Sequence, residues 1–271
     1  MAVIATDIGY FLSAGRPDDD ADTSGGAIDL TVRLMDRTNT KELNTGSGDT
    51  IDVVSTDAGD IHVITLKGYG TDGTWIEEDV TLTGAAHEQS TNTFLHLCSA
   101  IQAEAGDGAV TVAEYNSGVP SEIFVIAIAE KGAQDLFIKA EAEAAGGAEK
   151  KLYEKIFCVN EHATGAVISA VAWLSEDEDT ELKMDLEMTG DSTTTDGAET
   201  TTNRVTEPTT GGTYAFAEHA TEGAGHDMGD AEDGNLIADE QQGWWVELTL
   251  AAERTPEQVV QWAPKMSASA T

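Results

Sequence analysis

Residues 61–84 constrain the fold of this chain more than any other stretch. Ile61, Val63 and Thr65 open a run in which apolar and polar side chains alternate. Gly68-Tyr69-Gly70 and Asp72-Gly73 follow, and residues 75–82, from Trp75 to Leu82, resume the alternation. A period of two residues belongs to a strand with one buried face. Asp-Gly between two such runs is a strong short-range signal for a hairpin. The pattern contains nothing that reads as a reaction centre, so the stretch is expected to be scaffold.

The same grammar extends along the chain. Strand-like runs at residues 50–55, 110–114 and 124–129 are separated by Gly and Asp clusters. Residues 94–103 carry apolar side chains at mixed spacing that fits a strand or a short helix. Towards the N-terminus, residues 8–12 read as a short strand and 16–26 as a Pro, Gly and carboxylate loop. Residues 27–35 read as a strand through Ile28, Leu30, Val32 and Leu34, and 39–49 as a second loop. Beyond a connector at 134–149, residues 135–139 are strand-like and 141–145 favour helix locally, stopped by Gly146-Gly147.

Strand patterns return at 152–160, 166–174 and 181–188. The last alternates Leu182, Met184, Leu186 and Met188 with charged residues. Residues 189–213 are rich in Thr, Gly and Asp and read as a long exposed loop. Residues 214–217, 244–250 and 259–262 read as further strands, with a small polar tail at 267–271. Short strands punctuated by turn signals predict an all-β chain of two antiparallel β-sandwich modules, Ig-like or jelly-roll-like. The expected domains are an N-terminal arm over 1–49, one module over 50–133, and a C-terminal module over 134–271 carrying the acidic Thr/Gly-rich loop.

Charge narrows the partners. Among 271 residues, 50 Asp and Glu face 14 Lys and Arg, for a formal net charge of −36. Such a surface repels a phosphate backbone and an anionic bilayer, which argues against nucleic-acid and membrane partners. A basic protein surface or a saline habitat would each account for it. Apolar residues still make up 40% of the chain, too many for an acidic disordered protein. No apolar stretch approaches the ~20 residues that span a bilayer. The first residues lack the basic and apolar regions of a signal peptide, so the expectation is a soluble protein made in the cytoplasm.

Candidate chemistry is sparse. Cys98 and Cys158 sit in apolar runs without Cys-x-x-Cys spacing; buried free thiols are the first reading and a bridge between them the second. His219 and His226 lie in an acidic Gly-rich stretch at 218–230, but not at the spacing that places two ligands on one helix face. The acidic clusters at 18–22 and 175–179 do not follow a calcium-loop pattern. Neither a Gly-x-Ser-x-Gly elbow nor a phosphate-binding loop occurs. The expectation is therefore no catalytic residue, no metal and no cofactor. Trp244-Trp245 stands out, because neighbours on a strand point to opposite faces. One is expected to be buried and the other exposed or in an interface.

Several segments carry a resemblance. Leu12-Ser13-Ala14-Gly15-Arg16-Pro17-Asp18 followed by Ser24-Gly25-Gly26-Ala27-Ile28 resembles the opening of a group of tailed-virus virion structural proteins. In those, a strand ending in a tight turn leads to an Asp-rich loop and a Gly-Gly-x-Ile segment. Leu152-Tyr153-Glu154-Lys155-Ile156-Phe157-Cys158-Val159-Asn160 resembles their Tyr-Arg-x-Ile-x-Val-x-Asn strand. Ala163-Thr164-Gly165 matches the turn after it, and Val171-Ala172-Trp173-Leu174 the outgoing strand. Gly243-Trp244-Trp245-Val246 resembles their late Trp-containing strand. The 61–84 hairpin is similar to a different phage structural module. In the family the opening arm runs almost directly into the Tyr-x-x-Ile strand, whereas here residues 50–133 intervene, which suggests an inserted domain.

The resemblance to capsid decoration or minor capsid proteins of tailed bacteriophages and archaeal viruses implies a non-enzymatic component that decorates or cements a capsid. It implies a homo-oligomer, with a trimer favoured, on the virion surface, partnered by the major capsid protein or other virion proteins. The alternatives are a head–tail connector, collar or fibre-base component and a carbohydrate-binding surface module. On this reading the interface candidates are Tyr10, Phe11, Leu12, Ile28, Leu30, Trp244 and Trp245.

Overall fold

Alternating side chains become strands throughout the computed structural model. It describes residues 7–35, 47–116, 118–140, 148–176, 182–186, 201–209, 226–227, 235–250 and 262–270, with residues 3, 43, 216 and 252. Among these the fold is all-β, with no α-helix. None of the described segments is a helix long and apolar enough to cross a membrane. The chain divides into two compact units: Met1–Asp29 with Ala140–Thr271, and Leu30–Lys139. The boundaries therefore fall earlier than residue 50 and later than residue 133. Strand β2 (Thr23–Leu34) passes from the first unit to the second, since a strand can pair along different parts of its length with different neighbours.

The second unit contains β3 (Thr50–Ser55), β4 (Val63–Tyr69), β5 (Trp75–Thr81), β6 (Glu88–Gln89) and β7 (His96–Gln102), then β8 (Val110–Asn116), β9 (Val119–Ile126) and β10 (Gly132–Gln134). One run of strands is β2-β10-β7-β4-β5, entered by residues 30–34 of β2; the other sheet is β6-β3-β8-β9. The expected hairpin is β4 and β5, in register from Val63↔Thr81 to Tyr69↔Trp75. Its turn closes through Gly73 N–H to Gly70 O at 3.0 Å, with Gly73 at φ 76°, a left-handed conformation that glycine adopts freely. Ile64, Leu66 and Val80 point inward and pack with Ile51, Val53, Phe94, Val110, Val112 and Ile126 in one apolar core. Gly68 sits where the β4–β7 register shifts. A Cβ there would lie 2.0 Å from the His96 carbonyl oxygen, so the bulge tolerates no side chain.

The first unit contains β1 (Ile8–Gly15), residues 23–29 of β2, β11 (Lys150–Asn160), β12 (Val167–Glu176), β13 (Leu182–Leu186), β14 (Thr201–Asn203), β15 (His226–Asp227), β16 (Gln241–Leu250) and β17 (Trp262–Ala270). Its main strand order is β13-β16-β11-β1-β2, with β14 added to β2; a second sheet runs β15-β12-β17. β11 and β16 pair over their whole length, from Lys150↔Leu250 to Val159↔Gln241. β1 lies on the other side of β11, from Ile8↔Asn160 to Leu12↔Ile156.

Several expectations need correction. Of the two forms open to residues 94–103 the structure takes the strand, over His96–Gln102. Residues 23–26 are strand rather than loop, because Thr23, Ser24 and Gly25 pair with Asn203, Thr202 and Thr201 of β14, with Gly25 and Gly26 at φ of 83° and 88° inside β2. The strand near 135–139 is shifted to β10, and residues 136–139 turn with Phe137 and Lys139 at positive φ. β10 joins β2 in parallel, Gly132↔Val32 to Gln134↔Leu34, against the purely antiparallel expectation. Residues 267–270 belong to β17 rather than to a tail. Phe216 is not in a strand. The expected helix at 141–145, residues 189–200 and 210–213 of the expected loop, and residues 259–261 lie outside the described residues.

Candidate functional site

The central strands of the first unit are covered on both faces, and this decides where the expected interface residues stand. Phe11, Leu12, Trp244 and Trp245 are buried, Tyr10 and Ile28 are half-buried, and Leu30 is 55% exposed. Trp244 and Trp245 do point to opposite faces, as strand geometry requires, yet neither is exposed. Tyr10 stacks on Trp244 with ring centroids 6.2 Å apart and planes within 2°. Trp245 packs with Tyr153 and Phe216 on the other face. Burial pushes the Tyr10 hydroxyl well above its ordinary pKa, helped by Cys158. The Cys158 thiol, itself fully buried and free, is pushed up to about 12 by burial and then by Glu161.

Charged groups are buried alongside these aromatics. Arg204 and Glu154 are both buried, with Arg204 Nη2 2.9 Å from Glu154 Oε1. The pair is a close ionic contact whose direction falls short of a hydrogen bond at that oxygen. Arg204 N–H donates to the Asp22 carbonyl at 3.1 Å, and its own carbonyl accepts from Tyr153 N–H at 2.8 Å. Ser24 Oγ donates to the Tyr153 carbonyl at 2.6 Å. β14 completes the clasp by pairing Thr201, Thr202 and Asn203 with Gly25, Ser24 and Thr23. On the opposite face, the buried Glu247 carboxylate accepts from Tyr153 Oη at 3.0 Å and from Lys151 Nζ at 3.1 Å. Burial, then Glu247, raises the Tyr153 hydroxyl pKa. These carboxylates are engaged by neighbours, and the arrangement holds chain segments together.

This cluster was not expected from the sequence, because residues 189–213 read as exposed. Residues 201–206 instead form an ordered strap, and Arg204 is 1% exposed. One signal was present: Arg204 is the only Lys or Arg between Lys183 and Arg254. Such a cation, once buried, requires a carboxylate beside it.

The acidic loops divide in the same way. In the 18–22 turn, Asp22 Oδ2 accepts from the N–H groups of Asp18 and Asp19 at 3.3 and 3.1 Å, and Asp19 Oδ1 accepts from Ala21 N–H. These carboxylates shape a turn. Most of 218–230 lies outside the described residues, as do residues 177–179. Among the described residues no group of three His, Cys, Asp or Glu is placed to hold a metal ion.

The second unit carries buried polar fixings beside its apolar core. Asp60 accepts from Ser55 Oγ at 2.5 Å, Asp107 N–H at 2.9 Å and Gly108 N–H at 3.1 Å. Burial would raise its pKa, but these donors outweigh it and hold the carboxyl below its ordinary range. His87 Nδ1 lies 2.6 Å from the buried Asp52 Oδ2. Val119 and Val125, on strand β9 at the end of its sheet, are exposed, as are Ile61 and Ile128.

No family model matches this chain, and no curated protein matches it. Among solved structures, the infectious bursal disease virus VP2 subviral particle is similar at 11% identity with a TM-score of 0.15, covering 100% of this chain and 68% of that one. T=1 particles of a mutant VP2 protein of the same virus match at 10% identity and a TM-score of 0.13, covering 100% and 65%. At such scores the likeness carries no argument about fold or function.

Proposed function

We propose that this protein is a non-enzymatic virion component that decorates or cements the capsid of a tailed virus. One observation carries the reading. Four of the segments that resemble tailed-virus structural proteins, in β1, β2, β11 and β16, are neighbouring strands of one sheet in the order β16-β11-β1-β2, while residues 171–174 lie in β12 of the second sheet and the 61–84 hairpin in the other unit. Segments distant in sequence therefore form one continuous element, as expected if the resemblance reflects a common scaffold. On this reading each unit is a β-sandwich module, and the 50–133 region is inserted between the opening strands and the rest of the first module. The buried charges serve cohesion, since their partners are protein groups.

The mechanism is adhesion by repetition. Each copy buries a modest surface, and many copies on a lattice act together because each binding event raises the effective concentration for the next. The net charge of −36 favours basic patches on the shell as the opposing surface. Exposed apolar side chains on β9 and at Leu30 supply contacts that exclude water. The test is to add purified protein to shells of its own virus that lack it and to map the added density by electron microscopy. Density repeated over the capsomers is the expected result. Density confined to the portal or tail vertex would move the protein to the connector, and no association would remove the virion reading.

A further inference from the structure

The strap at residues 201–206 is held in an unusual manner. Its internal bonds are local: Thr206 N–H donates to the Asn203 carbonyl at 3.0 Å and Thr202 Oγ1 to the Thr206 carbonyl at 3.0 Å. The other bonds described above all run to a distant frame: Asp22 and residues 23–25 of β2, with Tyr153 and Glu154 of β11. Phe216 adds a ring 5.3 Å from Tyr153 on the same frame. The strap is thus a preformed plug, and the frame presents a preformed slot with a strand edge and a buried carboxylate.

Such a slot reads chemistry, not chain identity. Thr201 is separated from Leu186, the end of β13, by residues 187–200. A chain of that length reaches on the order of 45 Å when extended, and residues 207–225, which lead on to β15, are longer still, so both ends of the strap can span to a neighbour's slot on a crowded lattice. We infer that the strap is exchangeable, so that β14 and Arg204 of one copy seat on β2 and Glu154 of a second copy. Exchange of an identical element creates no new interface chemistry, so its thermodynamic cost is low. In dilute solution the tether favours the copy's own slot, because its effective concentration is in the millimolar range. Packing on a shell raises the neighbour's concentration to the same order. The inference deepens the adhesive reading and rests on it only for its purpose.

Two experiments test it in full-length protein without any shell. Thr23 and Asn203 are cross-strand partners and both exposed. Thr23→Cys chains and Asn203→Cys chains are unfolded in urea under reducing conditions, refolded together at about millimolar concentration, where tether and neighbour compete evenly, and then oxidised. Exchange yields a disulfide joining position 23 of one chain to position 203 of another, several-fold above the dimer formed by either variant refolded alone. Yields no higher than those controls overturn the inference.

The second experiment uses Glu154→Arg and Arg204→Glu. Each alone places like charges in the slot. Refolded together, each strap finds its opposite charge only in the other chain, and a one-to-one complex is expected by native mass spectrometry. If the mixture gives no such complex while either variant alone is folded, the strap does not exchange. Shell binding by the unmodified protein is a separate measurement, so loss of exchange with binding intact removes this inference and leaves the adhesive reading in place.

Discussion

The two units reach stability by different routes. In the second, Ile51, Val53, Ile64, Leu66, Phe94, Val112 and Ile126 form a single apolar core, flanked by polar fixings at Asp60, in the loop after β3, and at Asp52, on β3 itself. In the first, buried charges lie among the aromatics: Glu154 with Arg204, and Glu247 with Tyr153 and Lys151. An apolar core is non-directional and tolerates small shifts. A buried ion pair is costly to desolvate and becomes acceptable only in one arrangement. The second unit is therefore specified by pattern, and the first by particular pairings between segments far apart in sequence.

The largest expected effect tests that contrast. Arg204→Met leaves Glu154 buried without its cation and should destabilise the first unit by about 3–5 kcal/mol, whereas the double variant with Glu154→Met should recover most of the loss. Urea unfolding followed by tryptophan fluorescence measures both. Equal losses in the single and double variants would show that packing, not charge, holds the strap. In the second unit Leu66→Ala, which only opens a cavity in the apolar core, should cost roughly 3 kcal/mol. Hydrogen exchange should place that loss in residues 30–139, and a loss spread evenly over both units would erase the distinction.

A smaller effect concerns pH. The donors to Asp60 hold its native pKa below the ordinary carboxylate value of about 4. Its contribution is therefore present above that value and declines as pH falls through the lower native one. Asp60→Asn should be less stable at neutral pH, with the gap to the unmodified protein narrowing in acid. A gap that stays constant with pH would mean that the carboxylate charge is not what staples the 56–60 and 105–109 loops. The smallest effect is at Lys67 and Glu77, which are 3.6 Å apart on the outer face of the β4–β5 hairpin, with Glu77 largely exposed. Glu77→Gln should change stability by less than about 0.5 kcal/mol, readable in the same urea titration.

The contrast also explains what could be read from the sequence. β3 was visible over its whole length as an apolar run between turn-forming clusters, and β4 and β5 within two residues, because one buried face imposes a two-residue period and Asp72-Gly73 marks the turn. β11 and β16 were recognised as strands, but their burial on both faces was not, since such strands lose the alternation that marks a solvent side. That is why one of Trp244 and Trp245 was expected at a surface or interface, whereas both are buried. The beginning of β2 was hidden by Gly25 and Gly26, which read as loop. The turn at 136–139 was hidden by Phe137 and Lys139, residue types that rarely adopt positive φ. Arg204 was hidden because a pairing over fifty residues leaves no periodic trace; only its isolation among acidic residues pointed to it.

Adhesion is the claim on which the functional account stands, and shell stability measures it most directly. Shells lacking the protein are heated with and without it added back, and the temperature at which they release their contents is recorded. The account expects a saturable rise in that temperature as the protein fills its positions. Unchanged release at saturating protein, with the protein folded throughout, would contradict it.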